Sequence, residues 1–197
     1  MSEPEAGWVA PELAQEWPEL RLWSLRVDDA RPGPTTPGLR QRLRAMSDRY
    51  TGAKAIQLRT DPIPHAYRAF FRHIGLDPDE DRVPIEAVVL ERLKHGGFRA
   101  HDRVTDAATI ALVETGVPVW VLDDERVDPP LGIDRRGDDL VVADGGGEVC
   151  ALFGEPGPDR APGEETTAMR LFSVQVAGVP AIHVEEALFT CHEALAE

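Results

Sequence analysis

Hydrophobic and polar positions change period along this chain, and the change sets the first expectation of its fold. Leu20 and Leu22 alternate with polar neighbours, and Trp23, Leu25 and Val27 continue at period two, which predicts a strand over 20–28. Three prolines and two glycines make 31–38 a loop. Leu39, Leu43 and Met46 then recur at helical spacing, with arginines on the other faces. Asp61-Pro-Ile-Pro opens a second helix, because a first-turn N–H has no partner to lose to proline. Its expected buried stripe is Tyr67, Phe70, Phe71 and Ile74, ended by Gly75. A third helix starts at Pro84 with Ile85, Val88, Val89 and Leu93 inward and stops at Gly96-Gly97. A fourth spans 106–114 and stops at Gly116, ahead of Pro118.

Beyond that point short strand-like runs follow at 117–122, 140–143, 149–153 and 169–176, separated by Gly, Pro and Asp clusters. Gly145-Gly146-Gly147 lies between two of them and reads as a tight hairpin, not as a phosphate cradle. A last amphipathic helix covers 184–196. Helices first and strands later, without regular βαβ alternation, predict a mixed α/β fold in one unit, with no linker that would divide it.

Charge narrows the possible partners. The net charge of −14 argues against a protein that grips nucleic acid with its whole surface, since phosphate neutralisation supplies most of such affinity. The distribution is uneven. Over 38–60, Arg40, Arg42, Arg44, Arg49, Lys54 and Arg59 oppose Asp48 alone, a local balance of +5. Over 121–165, thirteen acids face four arginines, a balance of −9. Any contact with RNA is therefore expected on the 38–60 side, and a basic protein partner on the 121–165 side. Both segments also fit ordinary solvated faces. No apolar run approaches the ~18 residues needed to cross a bilayer. Residues 1–14 lack the pattern of a secretion signal, and the two cysteines, Cys150 and Cys191, have no metal-ligand spacing. A cytoplasmic location without metal or cofactor is the expectation.

Spacing by itself assembles no catalytic constellation. The chain has no Walker loop, HExxH, CxxC or GxSxG, and the acidic runs around 77–81 and 123–128 follow no EF-hand pattern. His65 and His101, each near a helix start, are candidates to line a pocket, whereas His73 and His192 read as fillers within helices.

Ordered motifs carry more. Arg103, Val104 and Asp106, followed at ungapped spacing by Gly116, Pro118 and Asp123, are similar to a motif pair, Arg-Val-x-Asp-x-Thr-Asn and Gly-x-Pro-x-His-x-x-Asp. Downstream, DLVVAD at 139–144, ALFGE at 151–155 and GEETTAM at 163–169 continue the pattern; upstream, Tyr67-Arg68 and the Arg82 to Ala87 stretch do so. In this order the segments resemble the B3/B4 editing domain of the phenylalanyl-tRNA synthetase β subunit, in a stand-alone form. The resemblance implies a compact α/β domain over 15–197 with a β-sandwich core and outer helices, preceded by a 1–14 extension.

The resemblance also implies an activity: hydrolysis of a mischarged aminoacyl-tRNA ester in trans, the second sieve of a double-sieve strategy. The alternative is a catalytically inactive RNA- or amino-acid-binding module of the same fold. The implied partner is tRNA or aminoacyl-tRNA, approached through the basic 38–60 segment; neither DNA nor membrane is implied. The family's Thr-Asn pair falls on Ala108 and Thr109, its histidine on Trp120 and its doubled glycine on Gly154-Glu155. Arg103 and Glu155 are thereby the expected catalytic residues, and Ala108, Thr109, Trp120 and Gly154 the expected substrate contacts. For Arg103 an ion pair with Asp102 or Asp106 is an equal reading. Glu86 reads as a first-turn helix acid or as a second carboxylate able to orient water.

Overall fold

A computed structural model describes residues 3–197. Chain order is β1 (Glu5–Ala6), β2 (Trp8–Val9), α1 (Pro11–Glu16), β3 (Arg21–Asp28), α2 (Pro37–Arg49), α3 (Gly52–Gln57), α4 (Pro62–His73), α5 (Pro84–His95), α6 (Arg103–Thr115), β4 (Trp120–Asp123), β5 (Gly132–Arg136), β6 (Asp139–Asp144), β7 (Gly147–Ala151), β8 (Ala168–Gln175) and α7 (Ala181–Ala196). The fold is mixed α/β, with seven helices and two four-stranded sheets among the described residues.

The first sheet has the order β1-β3-β8-β4 and is antiparallel throughout. β8 lies inside it, and every residue from Ala168 to Val174 is buried. Two-sided burial explains why this strand reads as a run and not as an alternation. α7 packs on β8 and β3, and α6 packs along α7. The second sheet has the order β2-β5-β6-β7, with β6 and β7 forming the hairpin expected around the three glycines. Gly147 turns it with φ +126°, a conformation open to glycine and costly for residues with a Cβ.

The two sheets are joined where β1 gives way to β2. Gly7 donates its N–H to Leu22 O of the first sheet, and Trp8 donates to Leu131 O beside the second. A Cβ on Gly7 would stand 2.2 Å from the Leu131 carbonyl oxygen, so only glycine fits this crossing. Residues 5–14, set apart by the sequence as an extension, are therefore built into the fold: β1 pairs with β3, β2 pairs with β5, and Leu13 is fully buried. Residues 1 and 2 lie outside the described residues.

The expected elements mostly recur with shifted ends. Val117, Pro118 and Val119 are buried but stand before the ladder of β4, and only 149–151 of the 149–153 run fall in β7, which starts two residues earlier. α1, α3 and the two-residue strands were not legible, and neither was β5, whose Asp134, Arg135 and Arg136 hide its pairing with β6. On α5, Ile85 and Val89 are buried as expected, whereas Leu93 is 38% exposed and Val88 only half-buried. No helix among the described residues is long and apolar enough to cross a membrane.

Candidate functional site

The site is organised by the start of α6. Asp102 sits in extended backbone and accepts the Thr105 N–H at 2.9 Å and its hydroxyl at 2.7 Å, capping the helix. Gly116, with φ +78°, ends it in a left-handed cap. Asp106 is fully buried yet satisfied: it accepts the Thr35 hydroxyl at 2.5 Å and the His101 N–H at 2.9 Å. Those bonds tie the Pro-rich loop and the segment before α6 to its first turn.

Val104, Ala108 and Leu112 recur every four residues along α6, with Thr105 and Thr109 beside them, and this face walls a cavity of about 640 Å³. A second wall comes from the start of α5, through Arg82, Ala87 and Val88. The third is the entry to β4, where the Trp120 indole stacks on Phe172 at 5.4 Å and 16° and meets Phe153 at 6.0 Å. Phe153, Glu155 and Pro156 close the remaining side. Phe153 holds a positive φ of 64° and lies within 5.0–5.9 Å of the Tyr67, Phe70 and Phe71 rings, so it couples the α4 aromatic stripe to the cavity.

Of the six residues drawn from the resemblance, Ala108, Thr109, Trp120 and Glu155 line this single cavity. Arg103 and Gly154 do not line it. Arg103 is the first residue of α6, between Asp102 and Val104, and its backbone N–H donates to Gly33 O at 2.9 Å. Its Nε is buried without a hydrogen-bond partner. The ion-pair reading of Arg103 is not realised, because Asp102 is engaged by Thr105, and Asp106 by Thr35 and His101. Gly154 shapes the turn, but its N–H is committed to Ala151 O at 2.9 Å and is not free to hold an ester.

Glu86 lies in the first turn of α5, as expected of a helix acid, but it is not free to orient water. It is buried and takes two hydrogen bonds from Arg68 Nη1 at 2.9–3.0 Å, while Arg68 also reaches Asp79 at 2.8 Å. His65 and His101 are exposed and contribute no wall. The sequence reading missed Arg82, Val88 and Phe153. Arg82 stood in a quoted motif, but only tertiary contact carries the start of α5 to α6; the turn at Phe153 has no residue signature, since glycine is the usual marker of positive φ.

The basic segment is weaker than its composition. Arg42 pairs with Glu114 at 2.7 Å and Glu197 at 3.1 Å, Lys54 with Asp61 at 2.8 Å, and Arg59 with Asp79 at 3.1 Å. Arg40, Arg44 and Arg49 remain as exposed charges on α2. The acidic segment is similarly reduced: Asp124 binds Arg26 and Arg170, each at 2.7 Å, and Asp144 binds Arg160 at 2.7 Å. No group of three or more metal-type ligands occurs among the described residues. Burial pushes the Cys150 thiol up to about 12, with the charges of Glu155 and Glu148 adding to it, and burial alone pushes Cys191 to about 12. Neither is an activated nucleophile. No family model and no curated protein matches this chain.

Proposed function

We propose that the chain is a stand-alone member of the B3/B4 editing family that binds the aminoacylated end of a tRNA and hydrolyses a mischarged ester in trans. The observation that carries this reading is convergence: four positions from three separate segments, chosen from motif resemblance, border one cavity large enough for an aminoacyl group. In the proposed reaction Glu155 orients a water molecule toward the ester carbonyl and takes up its proton. The Thr109 hydroxyl donates to the developing oxyanion. The bond to the ribose oxygen then breaks, and Glu155 passes the proton it took from water to that oxygen, which leaves as the terminal hydroxyl of the tRNA. Arg103 holds the RNA end beside the α6 start, and Arg40, Arg44 and Arg49 meet the backbone.

A panel of misacylated tRNAs, each followed for release of its amino acid, tests the proposal. Acceleration of at least one member is expected, and Thr109→Val is expected to slow it by about 10²-fold, the usual loss for one oxyanion donor. Intact protein that accelerates none of them would end the hydrolase reading. A second reading, an inert module that binds the same aminoacyl end, is favoured by one observation: no histidine borders the cavity. Retention of aminoacyl-tRNA without turnover is its signature.

A further inference from the structure

Within the cavity, polar groups divide sharply into those already engaged and those that are not. Asp102 and Thr105 satisfy each other in the α6 cap. Arg82, Thr109 and Glu155 also border the cavity, and among the described residues none of their side chains has a hydrogen-bonding or ionic partner. Thr109 differs here from Thr115 on the same helix, whose hydroxyl donates to the Ala111 carbonyl at 2.7 Å. The rest of the wall is apolar, with Val88, Val104, Ala108, Leu112, Val119 and Trp120. One free cation, one free anion and one hydroxyl around an apolar chamber make a particular chemical template.

We propose that this template recognises an α-amino acid group with a free α-ammonium and an apolar side chain. Glu155 binds the ammonium and Arg82 binds the carboxylate, or the carbonyl oxygen that replaces it in an ester. The side chain lies against Trp120. This rests on the reading of the site as an aminoacyl pocket and narrows its substrate class. A carboxylate presents about four lone-pair sites on two oxygens, so Glu155 can hold the ammonium and still orient a water. Apart from Arg82, Glu155 and the Asp102 carboxylate already engaged by Thr105, the cavity wall offers no carboxylate or cation to a charged side chain, which would lose its water there without compensation. An acylated α-nitrogen carries no charge for Glu155 and adds bulk at the rim.

The test is binding of small ligands, measured by calorimetric titration independently of any hydrolysis. L-Leucine and L-phenylalanine are expected to bind at least tenfold more tightly than N-acetyl-L-leucine, L-leucinamide or L-aspartate. Glu155→Gln should abolish the advantage of leucine over its N-acetyl form, and Arg82→Gln its advantage over leucinamide. Each variant changes a surface side chain, and the comparison among ligands on the unaltered protein stands without them. The unreactive amide analogue 3′-leucylamido-3′-deoxyadenosine supplies a further arm: tighter binding than leucine supports an esterified source for the group, weaker binding a free amino acid. Equal affinity for leucine and N-acetyl-leucine overturns the inference, as does the absence of leucine binding up to about 10 mM. These results separate it from the hydrolase reading. Leucine binding without ester cleavage leaves the inference standing and removes the enzyme; cleavage that ignores the α-nitrogen does the reverse.

Discussion

Replacing Phe153 should expose how the cavity and the core are linked. Its ring meets Phe71 at 5.0 Å, Tyr67 at 5.8 Å, Phe70 at 5.9 Å and Trp120 at 6.0 Å, while its other side faces the cavity. Full burial would place Phe→Ala at about 3–5 kcal/mol. One cavity-facing side, already poor in contacts, brings the expected loss to the lower end, about 3 kcal/mol. For a chain of 197 residues, each kcal/mol moves Tm by about 2–4 °C, so the shift is about 6–12 °C. The backbone adds a second, opposite-signed effect. At φ +64° a Cβ is strained by about 1–2 kcal/mol, whereas glycine is relaxed and loses about 0.5–1 kcal/mol through unfolded-chain freedom. Phe153→Gly is therefore expected to be more stable than Phe153→Ala by several tenths of a kcal/mol or more, the reverse of the order seen in ordinary elements. Urea denaturation of both variants, followed by far-UV circular dichroism, measures the pair. A loss below about 1 kcal/mol for alanine, or glycine falling below alanine, refutes the role assigned to this turn.

The remaining expectations concern packing and ionisation. Gly7→Ala places a Cβ against a carbonyl that cannot swing aside, and a loss of about 1–3 kcal/mol in thermal or urea unfolding is expected; an unchanged midpoint would mean that the sheets do not cross there. Glu86→Ala leaves Arg68, only 6% exposed at its side chain, with Asp79 and the Pro78 carbonyl, and should cost about 3 kcal/mol. Asp79→Ala, at an exposed carboxylate, should cost much less, and equal losses would contradict the burial assigned to the pair. Both thiols should resist a thiol-specific reagent at pH 8 until the protein unfolds. They also set a pH window. Below their ordinary value near 9, folded and unfolded states both keep the protons; above it the unfolded thiols ionise first, so stability should fall as pH rises from about 9 to about 12. Replacing both cysteines with alanine should flatten that fall.

The electrostatic pattern shows why linear charge is a poor guide to surface charge. Three of the six cations in 38–60 are held by acids at sequence separations from 7 to 155 residues. The +5 segment thus presents Arg40, Arg44 and Arg49 as its unpaired cations along α2, which bounds the RNA contact expected of it.

Local chemistry was enough to place α2, α4, α5, α6 and α7, because proline starts, glycine stops and apolar spacing act within a few residues of where they are read. β3 was likewise legible from its period-two alternation, and β6 and β8 from their apolar runs. Partnership was not legible. The pairing of β2 with β5, the crossing at Gly7, the ion pair that occupies Glu86 and the engagement of Asp106 by Thr35 all join residues distant in sequence. So does the meeting of Arg82, Trp120 and Glu155 around one cavity. Periodicity records which side of an element avoids water; it does not record which other element excludes that water, and a binding site is made of the second kind of information.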